Sequence, residues 1–302
     1  MSYSFFSSLS RPLVRTLVIL LSVSVLFSSC SRETPEVEPD KESKEPVKIV
    51  YVDWASEVAS ANVIKAVIRK KMGRECELLP VSLNAMWQAL AAGDQDGMVA
   101  AWLPSLQAKY RDKYGSDVEY LGPNLEGTRI GLVVPEYVGI DSIKELSDYR
   151  DKFDSRIIGI DPQAGIMKKT ETAMQKYQLD NFKLISGSGP TMTKILKQAI
   201  DEERWIVVTG WTPHWKFARW DLKYLKDPRN VYGDKEYIGT FVRQGLKKDM
   251  PEVYTLLDNF KWRPEDMEQV MLYARSENTN HYQAALRWIK ENDSIVNKWL
   301  NQ

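Results

Sequence analysis

The sequence predicts an α/β protein built from two similar lobes, and two observations carry this prediction. Short apolar segments of strand length alternate with longer segments in which apolar residues recur at helical spacing. The same succession then occurs a second time, about 108 residues later, and each copy ends in a strand followed by Trp-x-Pro. A period of this length is too long for a solenoid unit, so we expect two lobes, with mainly parallel strands, facing one another across a central cleft.

The first copy follows the pattern strand, helix, strand, helix, strand. We expect its strands at residues 48–53, 76–81 and 97–101, and its helices at residues 57–72 and 84–92. Gly73 and Gly93 follow the two helical segments, and a glycine in this position is typical of a helix C-terminus.

The second copy repeats this pattern. We expect its strands at residues 156–161, 182–185 and 206–209, and its helices at residues 166–177 and 191–200. Asp53 and Asp161 end the equivalent first strands, while Trp102 and Trp211 follow the equivalent third strands. The separation from Asp to Trp is 49 positions in the first copy and 50 in the second.

Each copy is followed by a similar strand that contains Gly-Thr, at residues 127–131 and 239–243. We assign residues 48–126 together with 237–302 to lobe 1, and residues 127–236 to lobe 2. A hinge is expected where the chain crosses between the lobes, near 125–129 and 237–241. Three further helices are expected to end the chain against one lobe, at residues 249–259, 264–275 and 279–300.

The first 29 residues predict a lipoprotein signal peptide. Arg11 and Arg15 supply positive charge, and the apolar run that ends at Phe27 is short for a membrane span. Two serines precede Cys30, which resembles the site at which a bacterial lipoprotein is lipidated; an ordinary secretory signal or an anchor helix is the alternative. Residues 30–47 are acidic and rich in proline, and they predict an extended tether. We therefore expect an exported protein, anchored by lipid to a cell-envelope membrane on its periplasmic or outer face.

The composition excludes several classes of function. The 41 basic and 41 acidic residues balance, so nothing indicates a nucleic-acid surface. Two cysteines and two histidines are too few for the usual metal centres, and Cys76 is expected to be an inert core thiol. We find no Gly-x-Ser-x-Gly, His–Glu zinc or P-loop motif, and expect no catalytic residue, metal or cofactor. A hydrolase that stacks aromatic rings on sugars remains the enzymatic alternative.

Three tryptophans are predicted to line the cleft: Trp54, Trp102 and Trp211. Ligands of open α/β sheets bind beyond the carboxyl ends of the strands, and both copies place a tryptophan there. An indole face attracts a cation by about 0.5–2 kcal/mol, and a trimethylammonium group needs no hydrogen-bond acceptors. The alternative for each tryptophan taken singly is a place in the core.

A second anchor is predicted where a strand, a turn and a helix meet at residues 160–166. Free backbone N–H groups at a helix N-terminus favour an anion, so the amides of Gly165 and Ile166 could hold a carboxylate. Plain helix capping is the alternative. A methylated ammonium at one end and a carboxylate at the other describe a betaine.

Four segments resemble the substrate-binding proteins of glycine betaine and proline betaine ABC importers. They are Asp-Trp-Ala-Ser-Glu-Val-Ala-Ser at 53–60, Ala-Trp-Leu-Pro at 101–104, Gly-Ile-Asp-Pro at 159–162 with Gly-Ile-Met at 165–167, and Gly-Trp-Thr-Pro-His-Trp at 210–215. The resemblance covers nearly all of residues 48–302. It implies a two-lobed periplasmic-binding-protein fold of type II, with a hinge and a central ligand cleft.

The resemblance also implies functional roles. Trp54, Trp102 and Trp211 would form the cage for the ammonium group, and the Gly165 and Ile166 amides would hold the carboxylate. The ligand would be delivered to a membrane permease with its ATPase for osmoprotectant uptake, by a protein expected to be a monomer.

The sequence departs from this family at one position. Family members carry a histidine five residues after the second cage tryptophan, and it donates to the carboxylate; here this position is Gln107, whose amide can also donate. The change could favour carnitine or weaken betaine binding. Choline, another methylated cation, and a role as a non-transport osmolyte sensor also stay open.

Two further residues are candidates for support. His214 could support the cage or make a structural hydrogen bond. Glu57, expected near the cleft mouth, could complement the cation or the positive end of a helix dipole.

Overall fold

The computed structural model describes residues 45–301. The predicted signal peptide, the predicted lipidation at Cys30 and residues 30–44 of the predicted tether lie outside this range. Within residues 45–301, every helix is too short or too polar to cross a membrane.

The strands and helices follow the predicted alternation. The strands within residues 45–301 are β1 Val47–Tyr51, β2 Cys76–Pro80, β3 Gly97–Leu103, β4 Val118–Pro135, β5 Arg156–Ile158, β6 Lys183–Ile185, β7 Val208–Thr212, β8 Leu222–Tyr224 and β9 Glu236–Arg243. The α-helices of the two copies and of the segments between them are α1 Ala55–Lys71, α2 Leu83–Ala91, α3 Ala108–Tyr114, α4 Gly165–Lys176, α5 Gly189–Asp201 and α6 Lys216–Arg219, and a 3₁₀ helix spans Ile143–Phe153. The C-terminal helices are α7 Leu246–Asp249, α8 Pro251–Asn259, α9 Pro264–Tyr273, α10 His281–Glu291 and α11 Asp293–Leu300.

The strand order is symmetric. It runs β2-β1-β3-β9-β4-β7-β5-β6, with β8 paired to β4. β1 is parallel to β2 and β3, and β5 is parallel to β6 and β7. β9 adds antiparallel to β3, as β4 does to β7. We call β2-β1-β3-β9 the first strand set and β6-β5-β7-β4 the second strand set. The α/β prediction is confirmed, with parallel pairing confined to the strands of the two copies.

β4 connects the two strand sets without an intervening loop. Its residues pair with β9 as far as Thr128, which lies opposite Glu236, and with β7 from Arg129 onward. Gly127 immediately precedes this change of partner and has a φ of +81°, a conformation that favours glycine.

The register corrects one equivalence between the copies. Trp102 lies opposite Ile238 of β9, and Trp211 lies opposite Ile130 of β4. Ile130 and Ile238 are therefore equivalent, and they are 108 positions apart. The predicted match of 127–131 with 239–243, an offset of 112, is wrong by four residues. The Gly-Thr pairs look alike, but pairing with the tryptophan-bearing strand sets the true alignment.

The C-terminal helices differ from the prediction in one place. The single helix expected at 279–300 is two helices, α10 and α11, because the backbone leaves helical geometry at Asn292. The Asn292 side-chain amide donates to the Trp288 carbonyl at 3.0 Å and so satisfies part of the end of α10. Cys76 is buried at the start of β2, as expected, and burial raises the pKa of its thiol to about 12.

Candidate functional site

One pocket contains all the residues predicted to contact a ligand. Its empty volume, which includes the open space at its mouth, is about 350 Å³. Its lining residues are Trp54, Trp102, Leu106, Gln107, Ile130, Ile160, Ala164, Gly165, Ile166 and Trp211. The wall is largely apolar, and none of these side chains carries a charge.

The two copies deliver their tryptophans to this pocket in equivalent ways. Trp102 and Trp211 lie near the carboxyl ends of β3 and β7, each opposite an isoleucine of the adjoining strand. A cis peptide bond to proline follows each of them, at Leu103-Pro104 and at Thr212-Pro213. Trp54 comes directly before α1, as its N-cap residue. All three indoles are almost completely buried.

The start of α1 holds the N–H edges of two of these indoles. Trp102 Nε1 donates to Glu57 Oε1 at 2.5 Å, and Trp211 Nε1 donates to Ser56 Oγ at 3.3 Å. Ser56 Oγ in turn donates to Glu57 Oε2 at 2.6 Å. One serine and one glutamate, adjacent in sequence, thus fix ring planes that come from both strand sets.

Glu57 does not lie at the cleft mouth, where the sequence had placed it. Its side chain is 1% exposed and lies behind the Trp102 edge, outside the pocket wall. Burial disfavours the charged form and raises the pKa of this carboxyl to about 7, although its hydrogen bonds with Ser56 and Trp102 oppose the shift. The expectation failed because the first turn of α1 points inward rather than toward solvent.

Trp211 has different neighbours on its other side. The His214 ring meets it edge-on, with 4.7 Å between centroids, and His214 Nδ1 accepts from the Lys216 backbone N–H at 3.1 Å. Burial, with Lys216 nearby, holds the pKa of His214 well below its usual value, so its ring is neutral. His214 therefore both packs against the indole and makes a structural hydrogen bond, and the geometry is compatible with both predicted roles.

Lys216 is fully buried. Its Nζ lies 4.5 Å from the centroid of the Trp211 ring and has no hydrogen-bond partner within residues 45–301. Burial lowers the pKa of this ammonium to about 7. Lys216 is absent from the pocket wall, so it contacts Trp211 from outside the pocket.

Gly165 and Ile166 form the other end of the pocket, as the first two residues of α4. Within the described residues, neither backbone N–H has a hydrogen-bond partner. Leu106, in the loop after β3, packs directly against Gly165: a Cβ at this position would lie 2.6 Å from the Leu106 carbonyl oxygen. Glycine is therefore needed here for the loop of one strand set to approach the helix of the other.

Gln107 faces the pocket, but its amide also bonds to the interior. Its Oε1 accepts from Trp87 Nε1 at 2.8 Å, and its Nε2 donates to the Ala100 carbonyl at 3.0 Å. One of its two N–H groups is left to meet a ligand. The predicted contact between Gln107 and a carboxylate depends on that single N–H and stays a prediction.

Sequence reasoning missed three residues of this site. Ser56 and Lys216 contact Trp211, as described above. Glu236, in β9, accepts from the backbone N–H groups of Ser105 and Leu106 at 3.1 and 3.3 Å, and also from the Ser105 hydroxyl, so it fixes the loop against Gly165. The string Trp-Ala-Ser-Glu could have indicated Ser56, because residues in the first turn of a helix lie close to its cap. Lys216 and Glu236 have no such signal.

The chain is similar to a family model and to a known binding protein. A family model described as the substrate-binding domain of an ABC-type glycine betaine transport system matches residues 45–291. The glycine betaine/carnitine transport binding protein GbuC of Listeria monocytogenes is 48% identical over 154 residues, and this alignment spans about half the length of each protein.

Two solved structures are also similar. Lactococcal OpuAC, in its closed form complexed with glycine betaine, is 42% identical with a TM-score of 0.80, covering 85% of this chain and 100% of that one. The glycine betaine/L-proline-binding protein ProX of Borrelia burgdorferi is 38% identical with a TM-score of 0.80, covering 85% and 97%. These similarities confirm the predicted type II periplasmic-binding-protein fold.

Proposed function

This chain belongs to the family of substrate-binding domains of ABC-type glycine betaine transport systems, and from that membership we propose that its apolar pocket binds glycine betaine. The observation that carries the proposal is the meeting of three indoles and two unpartnered helix-start amides in one pocket without charged side chains. A zwitterion with a methylated cation and a carboxylate matches both ends of such a pocket.

The indoles of Trp54, Trp102 and Trp211 would surround the trimethylammonium group. Each ring contributes about 0.5–2 kcal/mol to the attraction of a cation. A quaternary ammonium donates no hydrogen bond, so it loses little on entering a wall that offers few acceptors. Three rings give only a few kcal/mol, while micromolar affinity needs about 8 kcal/mol, so a second anchor is required.

The carboxylate would bind at the start of α4. The N–H groups of Gly165 and Ile166 can both donate to it, and the helix dipole favours a negative charge there. Gln107 would add one donor from the facing strand set. The closeness of Leu106 to Gly165 supports a binding step in which the two strand sets close on the ligand.

The larger biological role is part of the same proposal. The protein acts outside the cytoplasmic membrane as an importer component; we propose that lipid on Cys30 anchors it and that a permease and its ATPase accept the ligand. Residues 48–126 with 237–302 and residues 127–236 would be the two lobes, hinged near Gly127, where β4 changes partner. The protein would bind and release its ligand without chemical change.

Carnitine is the second candidate ligand. The relative from Listeria monocytogenes carries both glycine betaine and carnitine in its name. Carnitine has the same trimethylammonium group and a carboxylate at greater distance, so it would use the same two ends of the pocket.

Titration calorimetry tests the proposal. The purified protein is titrated with glycine betaine, proline betaine, carnitine, choline and maltose. We expect the tightest binding for a zwitterion, weaker binding for choline because it has no carboxylate, and none for maltose. Choline binding as tightly as betaine would contradict the carboxylate site, and binding of maltose alone would contradict the cage. Ligand recovered unchanged after long incubation would separate binding from turnover.

A further inference from the structure

Glu57 is a buried acid without a partner of opposite charge. It lies in the first turn of α1 and is 1% exposed. Its hydrogen-bond donors are Ser56 Oγ and Trp102 Nε1, both neutral. Within residues 45–301, no lysine, arginine or histidine lies within ion-pair distance of it. A buried carboxylate left in this way is costly, so it either takes up a proton or is balanced by a positive charge that comes close to it.

The space nearest to this acid, across the Trp102 indole, is the ligand pocket. Trp102 lines the pocket and donates its N–H to Glu57, so the carboxylate lies behind the ring edge. Trp211 joins the same group through Ser56. No other acid of residues 45–301 accepts a hydrogen bond from a pocket indole, and Glu236 binds only the loop backbone and Ser105.

We propose that Glu57 determines specificity for a cationic ligand, acting through the Trp102 indole as the negative charge that the bound cation balances. An indole that donates to a carboxylate carries more negative charge on its ring face, which strengthens its attraction for a cation. The carboxylate also interacts directly with the cation across a medium of low dielectric constant. This inference rests on the proposed function and deepens it, because it names the group that tells a cation from a neutral ligand of the same shape.

A matched pair of ligands separates charge from shape. Glycine betaine and tert-butylacetate have the same outline, but a quaternary carbon replaces the quaternary nitrogen in the second. Both keep the carboxylate for Gly165 and Ile166. The ratio of their affinities, measured by titration of indole fluorescence, reports the recognition of charge alone.

The decisive variant is Glu57→Gln. It keeps an oxygen that can accept from Trp102 and removes the charge. We expect the affinity for betaine to fall at least about tenfold and the affinity for tert-butylacetate to change less than about twofold, so that the ratio drops. Equal losses for the two ligands would reduce Glu57 to a structural role and overturn the proposal, as would an unchanged betaine affinity.

Ser56→Ala is the matched control. It removes the acceptor of Trp211 and one donor to Glu57, but it leaves the charge in place. We expect it to weaken both ligands by the same factor, and a fall in the ratio as large as that of Glu57→Gln would contradict the proposal. If Glu57→Gln does not fold, Glu57→Ala decides, because it also removes the charge: a lower ratio supports the proposal and an unchanged ratio refutes it.

Failure of this inference is distinct from failure of the proposed function. A wild-type protein that binds no betaine would refute the proposed function. A wild-type protein that binds betaine well, together with a Glu57→Gln variant that binds it equally well, would refute only the role of Glu57.

Discussion

Trp102 and Trp211 occupy equivalent positions in the two strand sets, but an acidic side chain lies next to the first and a basic side chain next to the second. Trp102 donates to the carboxyl group of Glu57, whereas Trp211 lies 4.5 Å from the buried amine of Lys216. The repeated backbone explains why both rings reach the pocket. It does not explain how strongly each ring attracts a cation, since that depends on neighbours that the repeat does not duplicate.

The largest expected effect follows from this difference. We expect Trp102→Ala to weaken betaine binding about 100-fold and Trp211→Ala about tenfold at neutral pH, because only Trp102 bonds directly to an acid. Calorimetry measures both losses. Trp205→Ala, whose ring packs on Phe153 away from the pocket, should bind normally. Equal losses would contradict the larger contribution of Trp102, and unchanged affinity in both variants would refute the cage.

The contact between Leu106 of one strand set and Gly165 of the other can be obstructed by adding one side-chain carbon. Gly165→Ala places a Cβ 2.6 Å from the backbone oxygen of Leu106, which cannot move as a side chain can. We expect closure to be obstructed and betaine affinity to fall by about tenfold or more. Gly187→Ala is the control, because a Cβ there meets nothing nearer than 3.7 Å. A normal affinity in Gly165→Ala would show that the two strand sets bind ligand without this close approach.

We expect Lys216 to lower the free energy of unfolding, and also to weaken the attraction between the Trp211 ring and a bound cation. We expect Lys216→Met to raise the free energy of unfolding at pH 7 by about 2 kcal/mol, since it removes a buried amine without a hydrogen-bond partner. Its pKa is about 7 in the folded protein and about 10.4 when unfolded, so protons favour the unfolded state between these values. Wild-type stability should therefore rise with pH across this window, and the advantage of the variant should shrink.

Urea unfolding at pH 7 and at about pH 9.5 measures both quantities. Lys168→Met, at an exposed site, should change stability by less than about 0.5 kcal/mol. Equal stabilities of wild type and Lys216→Met at pH 7 would show that the amine is solvated in solution.

A smaller effect concerns pH and ligand binding. Burial raises the pKa of Glu57 and lowers that of Lys216, each to about 7. Below this pH Glu57 loses its charge and Lys216 gains one, and both changes oppose a cation. We expect betaine affinity to fall several-fold, up to about tenfold, from pH 8 to pH 6.

The other groups around the start of α1 should contribute less to this dependence. They are Asp53, His214, Arg275 and His281, which line the adjacent cavity. Burial holds the pKa of His214 well below its usual value and also lowers the pKa of His281. Calorimetry on the variant that combines Glu57→Gln with Lys216→Met should show a nearly flat profile, and an undiminished slope would assign the effect to another group.

Features with a periodic or repeated signal could be predicted from the sequence. The separations from Asp53 to Trp102 and from Asp161 to Trp211, 49 and 50 positions, predicted both rings just after strand ends. Each tryptophan is instead the next-to-last residue of its strand, β3 or β7, and the pocket contains both. The turn before α4 indicated Gly165 and Ile166, because free backbone N–H groups at a helix start favour an anion, with plain helix capping as the alternative.

The rest depends on side-chain direction, which periodicity does not give. Glu57 lies in the first turn of a helix and Lys216 in a short helix, where charged side chains are usually exposed. Both side chains are buried instead. Gln107 is predicted to donate to the ligand, but the sequence does not indicate that its amide also bonds to Trp87 and Ala100 in the interior. These positions are set by packing between segments that are distant in sequence, so the sequence pattern alone does not predict them.

The continuity of β4 limits how this protein can be divided. The strand runs from Val118 to Pro135 and pairs with both strand sets, so the position that separates them lies inside a hydrogen-bonded ladder. Removing either strand set at this position would expose a sheet edge with unpaired backbone N–H and C=O groups, which promotes aggregation. Chimaeras that trade ligand preference between homologues should therefore be assembled from short pocket segments, such as the first turn of α1, rather than from whole lobes.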